Sequence, residues 1–160
     1  VYTLGGGAKS VTSIDSSAEA IAQAEINVDN NQFIEKNNTW IVGDVFKELR
    51  LFRDKGKSFD MIILDPPKFA PTAAQVRSAS RGYKDINLLA FKLLNPGGML
   101  ITFSCSGGID RTLFQKIVAD AAIDAGVNAR ILEVLSQGKD HPIKLSFPEG
   151  AYLKGLICRI

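Results

Sequence analysis

The stretch that decides the fold is FDMIILDPPKFA, residues 59–70. Residues 61–64 form an unbroken apolar run ahead of Asp65, and two prolines follow at once. A short run of this kind, closed by a turn signal, predicts a strand buried on both faces of a parallel sheet. Pro66 and Pro67 fix their own φ and push their predecessors toward extended backbone, so Asp65 is held stiffly at the strand's carboxyl end. An acid ending a buried strand is costly unless it is paired or used, which favours a functional reading of Asp65 over a plain turn.

Helical and strand-like segments alternate on either side. SVTSID (10–15) alternates and ends on Asp15; the segment after it has Ser16 and Glu19 at capping-box spacing and Ala18, Ile21, Ala22 and Ile26 on one helical face. NTWIVGD predicts a strand ending near Asp44, and VFKELRLFRDKG a helix closed by Gly56. In YKDINLLAFKLL, Ile86, Leu89, Ala90 and Leu93 share one face until NPGG stops the helix. MLITFSC predicts a further buried strand, and Asp110 caps RTLFQKIVADAAIDAG. NARILEVLSQ and YLKGLICRI are two late strands joined by a polar loop. The alternation predicts a parallel α/β sheet, and the last two strands, with no helix between them, predict an antiparallel hairpin at one edge.

A chain of 160 residues is long enough for one domain, 1–160, that buries about 70% of its unfolded surface. Its apolar content of 46% with no membrane-length apolar run is that of an ordinary globule. The two cysteines, Cys105 and Cys158, are far apart and lack CxxC spacing, so neither a metal site nor a disulfide framework is expected, and a reducing cytoplasm is the expected compartment. A net charge of +2 is too small to hold nucleic acid by charge alone. The opening VYTLGGGAKS reads as the end of a helix, which leads us to expect a partial domain.

In an open parallel sheet, ligands bind beyond the carboxyl ends of the strands, and here those ends bear Asp15, Asp44, Asp65 and the pair Ser104 and Cys105. Asp15 stands where a nucleotide-binding fold puts an acid on ribose hydroxyls, although an exposed acid near a helix start reads equally well. Asp44 suits an adenine amino group or a helix cap. LGGGAKS is not a phosphate loop, because Ala8 stands where a glycine must precede Lys-Ser. Cys158 reads as a buried structural thiol. Cys105 lies among Ser104, Ser106, Gly107 and Gly108, an open polar setting ahead of a helix N-terminus, and reads as reactive.

Together, SIDSS, GDVF, ILDPPKFA, RGYKDINLLAFKLLNPGG, FSCSG, HP and FPEGAYLKG resemble the bacterial S-adenosylmethionine-dependent cytosine-carbon-5 methyltransferases of large-subunit ribosomal RNA. The resemblance covers nearly the whole chain. It implies a Rossmann-like class I methyltransferase fold, a mostly parallel sheet with an antiparallel C-terminal hairpin, incomplete at its N-terminus. It further implies S-adenosyl-L-methionine as cofactor, with Asp15, Ser16, Asp44, Val45, Asp65 and Pro66 as its contacts, and ribosomal RNA as partner. Cys105 is the implied nucleophile and Asp65 its catalytic partner at the base, with Pro67, Lys68, Phe69, Lys84 and Tyr152 facing the substrate and Glu149 beside Tyr152. No metal is implied.

Two departures stand out. Lys68 occupies the place where related enzymes have a second cysteine that resolves the covalent adduct, and the family's first strand, glycine-rich loop and N-terminal RNA-binding domain are expected to have no counterpart within these 160 residues. Weak cofactor binding by this chain is the expected consequence. Two other readings stay open, purine amino-group methylation through the Asp-Pro-Pro motif and a catalytically inactive module of the same fold. His141, the single histidine, reads as a solvated loop residue or a general base.

Overall fold

The computed structural model describes residues 1–33, 37–69 and 75–160, so Ala70, which closes the DPPKFA motif, lies outside the described residues. The described chain divides into two units, Val1–Leu51 and Phe52–Ile160.

The first unit opens with a single helical turn, α1 (Tyr2–Gly5), which ends at Gly6 and at Gly7, whose φ of 98° belongs to the left-handed region. It continues with β1 (Ser10–Asp15), α2 (Ala18–Asn30), β2 (Asn37–Val42) and most of α3 (Val45–Asp54). β1 and β2 pair in parallel, from Ser10 opposite Asn37 to Asp15 opposite Val42. The cap of α2 is Ser17 rather than Ser16: Ser17 Oγ accepts from the Ala20 amide at 3.1 Å. The shift has a local cause, since Asp15 Oδ1 accepts the Ser17 amide at 2.8 Å and turns the chain one residue further before the helix begins. The buried stripe of α2 runs through Ile21 and Val28, two turns apart, and Ala18, Ala22 and Ile26 face outward instead.

The second unit contains β3 (Phe59–Leu64), α4 (Val76–Leu93), β4 (Leu94–Ser104), α5 (Arg111–Ala125), β5 (Arg130–Leu135) and β6 (Lys154–Arg159). Their sheet has the order β3-β4-β6-β5, with β3 parallel to β4 and β6 antiparallel to both its neighbours. The terminal hairpin is therefore present, with the last strand inside and β5 at the edge. α4 begins seven residues before Tyr83, where the sequence pattern starts it, and NPGG falls within β4. The β3–β4 register shifts there: Gly97 takes φ 78°, and Asn95 Nδ2 donates to Asp60 Oδ1 at 2.8 Å.

The expectation that β3 is buried on both faces is corrected. Leu64 is buried, but Met61 and Ile63 are 39% and 51% exposed. Pairing explains the asymmetry. Ile62 and Leu64 stand opposite Leu100 and Thr102, whose side of β4 also includes buried Ser104; Met61 and Ile63 stand opposite Met99 and Ile101 on the other side. Helices α4 and α5 pack on each other and on the sheet, burying Tyr83, Ile86, Phe91 and Phe114 with the Leu100 side. α5 is started by Asp110, whose Oδ1 accepts the Leu113 amide at 2.7 Å, and ended by Gly126 at φ 74°. Gly155 of β6 lies under Phe103, and a Cβ at 155 would meet that ring at 2.6 Å.

Leu100→Ala should cost about 2–5 kcal/mol of unfolding free energy, whereas Ile63→Ala, on the uncovered side, should cost about 1 kcal/mol or less. Urea denaturation of the two variants checks this; equal losses would show β3 to be buried on both sides.

Candidate functional site

In the first unit the parallel pairing sets Asp15 and Asp44 at the carboxyl ends of adjacent strands. The Gly43 amide donates to the Asp15 carbonyl at 2.9 Å and joins the two loops. Asp15 and Ser16 are exposed, and Asp15 has one carboxylate oxygen on the Ser17 amide. The second oxygen leaves acceptor capacity for a hydroxyl pair. Asp44 Oδ1 accepts the Lys47 amide at 3.0 Å, so this acid caps α3 just ahead of half-buried Val45.

In the second unit the DPPKF and FSCSG motifs follow the adjacent parallel strands β3 and β4. Asp65 is exposed, so the desolvation cost expected for an acid at a buried strand end does not arise. Pro66 is buried and anchors the loop; Pro67 and Lys68 are exposed. Phe69 is half-buried against Tyr83, with ring centroids 4.7 Å apart, and a Cβ at position 82 would meet its ring at 3.4 Å. Its apolar surface thus holds the loop on α4.

Tyr83 is wholly buried, with its ring edge-on to Phe114 at 5.7 Å. Its hydroxyl is 3.0 Å from Ser106 Oγ, one donating to the other. The Ser106 amide donates to Ser104 Oγ at 3.3 Å, and the Ser106 carbonyl accepts both the Ile109 amide at 3.2 Å and Lys154 Nζ at 2.7 Å. Ser104, Ser106 and Lys154 are all buried. Cys105, between the two serines, is a free, partly exposed thiol. Five residues, 106–110, separate it from α5, whose N-terminus Asp110 caps, and the turn itself holds the Lys154 ammonium on its Ser106 carbonyl. Cys158 is buried, and desolvation pushes its thiol up to about 11.

Tyr83, Ser106 and Lys154 are absent from the site read from sequence. Lys154 was legible in principle: it is in phase with Leu156 and Cys158 on β6, so strand alternation alone puts it on the buried side.

Lys84 points to α5, where its Nζ meets Asp124 at 2.8 Å; that hydrogen bond holds the ammonium above the usual lysine range. With Arg77, Arg81 and Lys116 it lines a cationic groove of about 310 Å³ between α4 and α5, tempered by Asp120. Tyr152 packs edge-on against His141 at 6.4 Å, and Glu149 lies in the exposed turn Pro148–Gly150, which Gln137 ties down through the Gly150 carbonyl. Among the described residues no helix is long and apolar enough to cross a membrane, and no cluster of His, Cys, Asp or Glu forms a metal site.

Comparison with known proteins gives a family match: a model described as a methyltransferase domain matches residues 1–144. Proteins named ribosomal RNA large subunit methyltransferase I are similar, 57% identical over 159 residues in Aeromonas salmonicida and 54% over 160 residues in Shewanella amazonensis. These matches cover 99% and 100% of this chain, which spans 40% of the length of the curated relatives it matches. Among solved structures, SMU.776 complexed with SAH superposes over 97% of this chain and 40% of its own, with a TM-score of 0.80 at 23% identity. A SAM-dependent methyltransferase from Agrobacterium tumefaciens gives 0.67 at 18% identity, over 97% of this chain and 49% of its own. At these identities the likeness establishes the fold, an α/β methyltransferase fold with a mostly parallel sheet and antiparallel strands.

The exposure of Cys105 and the burial and raised pKa of Cys158 give a direct test. Iodoacetamide at pH 7 should modify Cys105 and spare Cys158, because a thiol near 11 is ionised to only about one part in ten thousand there. Peptide mass spectrometry reads the sites, and equal labelling of the native protein would remove the distinction.

Proposed function

Because the chain belongs to the methyltransferase-domain family, we propose that it is the catalytic part of an S-adenosylmethionine-dependent ribosomal RNA methyltransferase that acts on carbon 5 of a cytosine. The observation that supports this best is a partly exposed thiol on a rigid turn beside the Asp65 loop, at the carboxyl ends of adjacent parallel strands. The names of the relatives support RNA of the large ribosomal subunit as substrate, and the cationic groove of α4 and α5 suits a phosphate backbone. Work in the cytoplasm follows from that substrate.

S-adenosylmethionine supplies an electrophilic methyl group on a sulfonium. In the first unit Asp15, whose second carboxylate oxygen suits a ribose diol, would hold it with Ser16, and Asp44 with Val45 would serve its adenine; in the second unit Asp65 and Pro66 would serve the methyl-donating end. Carbon 5 of cytosine is a poor nucleophile, so the Cys105 thiolate adds first to carbon 6. The electron pair displaced from the carbon 5–carbon 6 double bond would then form the bond from carbon 5 to the methyl carbon, while the methyl–sulfur bond breaks, the sulfur keeps its electron pair and S-adenosylhomocysteine leaves. A base removes the proton at carbon 5, and the carbon–sulfur bond breaks to restore the ring and the thiolate. Asp65 faces the base, with Pro67, Lys68 and Tyr152 at the rim. Phe69 acts through its packing on Tyr83, which counts against amino-group methylation, where an aromatic after Asp-Pro-Pro would lie on the base.

We also propose that the 160-residue chain alone binds S-adenosylmethionine weakly. Its proposed ribose and adenine contacts stand on a two-stranded sheet, an arrangement of marginal stability. Titration calorimetry should give no fitted isotherm, and tight binding would overturn this.

The reaction is best tested in a chimera in which this chain replaces the matching part of the Aeromonas salmonicida relative. With 5-fluorocytosine RNA and S-adenosylmethionine the chimera should form a covalent adduct seen by mass spectrometry, and Cys105→Ala should abolish both adduct and turnover. Turnover that survives Cys105→Ala would favour the amino-group reading; a chimera without either activity would favour an inactive module. Replacing Arg77 and Arg81 by Ala should weaken RNA binding on all sequences alike and lower the salt slope of the affinity by about 1–2, as fluorescence anisotropy would read.

A further inference from the structure

A lysine buried to all but 7% of its surface is rare, and Lys154 has no carboxylate at ion-pair distance among the described residues. Its strand places it opposite Ser104 in the β4–β6 register, directly beside the turn that presents Cys105. Its Nζ donates to the Ser106 carbonyl at 2.7 Å. A neutral side chain would serve the fold there without the cost of desolvating an ammonium.

We propose that Lys154 is a positioning residue for Cys105: its ammonium, fixed on the Ser106 carbonyl, holds the turn 104–106 in place and favours the thiolate of Cys105. The charge environment agrees. Burial lowers the pKa of the Lys154 ammonium, Cys105 and Asp110 oppose that shift, and Lys68 and Arg111 add to it. A negative charge at Cys105 thus supports the charged form of Lys154. Tyr83 clamps the same turn through Ser106. This inference deepens the proposed role of Cys105 and rests on it for its catalytic meaning, but the coupling itself is measurable whether or not Cys105 attacks RNA.

The test is the pH dependence of Cys105 alkylation in the 160-residue chain, with buried Cys158 as the internal reporter of unfolding. In Lys154→Met the midpoint should move up by about one pH unit, a roughly ten-fold slower reaction at pH 7, and Lys154→Arg should recover part of the loss. A structural role alone would lower the melting temperature and leave the midpoint in place. If Lys154→Met does not fold, the reciprocal measurement decides. In Cys105→Ser, the side-chain NMR titration of Lys154 should move to lower pH than in the parent chain. An unmoved midpoint in folded Lys154→Met, or an unmoved Lys154 titration in Cys105→Ser, overturns the proposal. The 5-fluorocytosine adduct reports separately on whether Cys105 is the nucleophile.

Discussion

Strand β4 is the constraint on which the second unit depends. It pairs in parallel with β3 on one side and antiparallel with β6 on the other, and its alternation sorts every neighbour into a covered or an uncovered side. Leu100, Thr102 and Ser104 meet the helices, and one residue later the chain leaves the sheet at Cys105. The same register brings the Asp65 loop to the neighbouring strand end and Lys154 to the position opposite Ser104. A one-residue slip would reverse which side chains are buried and break up this turn.

Most elements were legible because their signals are local. Asp110 as a cap, Gly56 as a helix end, and the final antiparallel pair each follow from a few adjacent residues. The misreadings have a different origin. An apolar run such as residues 61–64 shows that a strand is hydrophobic, but whether both sides are covered depends on helices distant in sequence. The cap of α2 moved from Ser16 to Ser17 because the Asp15 carboxylate competes for the amide that opens the turn.

The site divides along the same line. Asp15, Asp44, Asp65 and Cys105 stand out in sequence because reactive groups at strand ends are informative by themselves. The groups that fix Cys105 do not, because Tyr83, Ser106 and Lys154 lie on α4, in a turn and on β6, and meet only through the folded sheet. Phe69 shows the converse. Its motif draws attention to recognition, yet its ring is occupied in seating the loop against Tyr83.

The uncovered side of β3 bears on how the chain behaves in concentrated solution. β3 is the terminal strand of its sheet and presents Met61 and Ile63 to water beside an outer edge that, among the described residues, has no strand partner in that sheet. Apolar side chains next to open amide and carbonyl groups form a template for self-association. A cover for this side would therefore oppose self-association without any change in the helices.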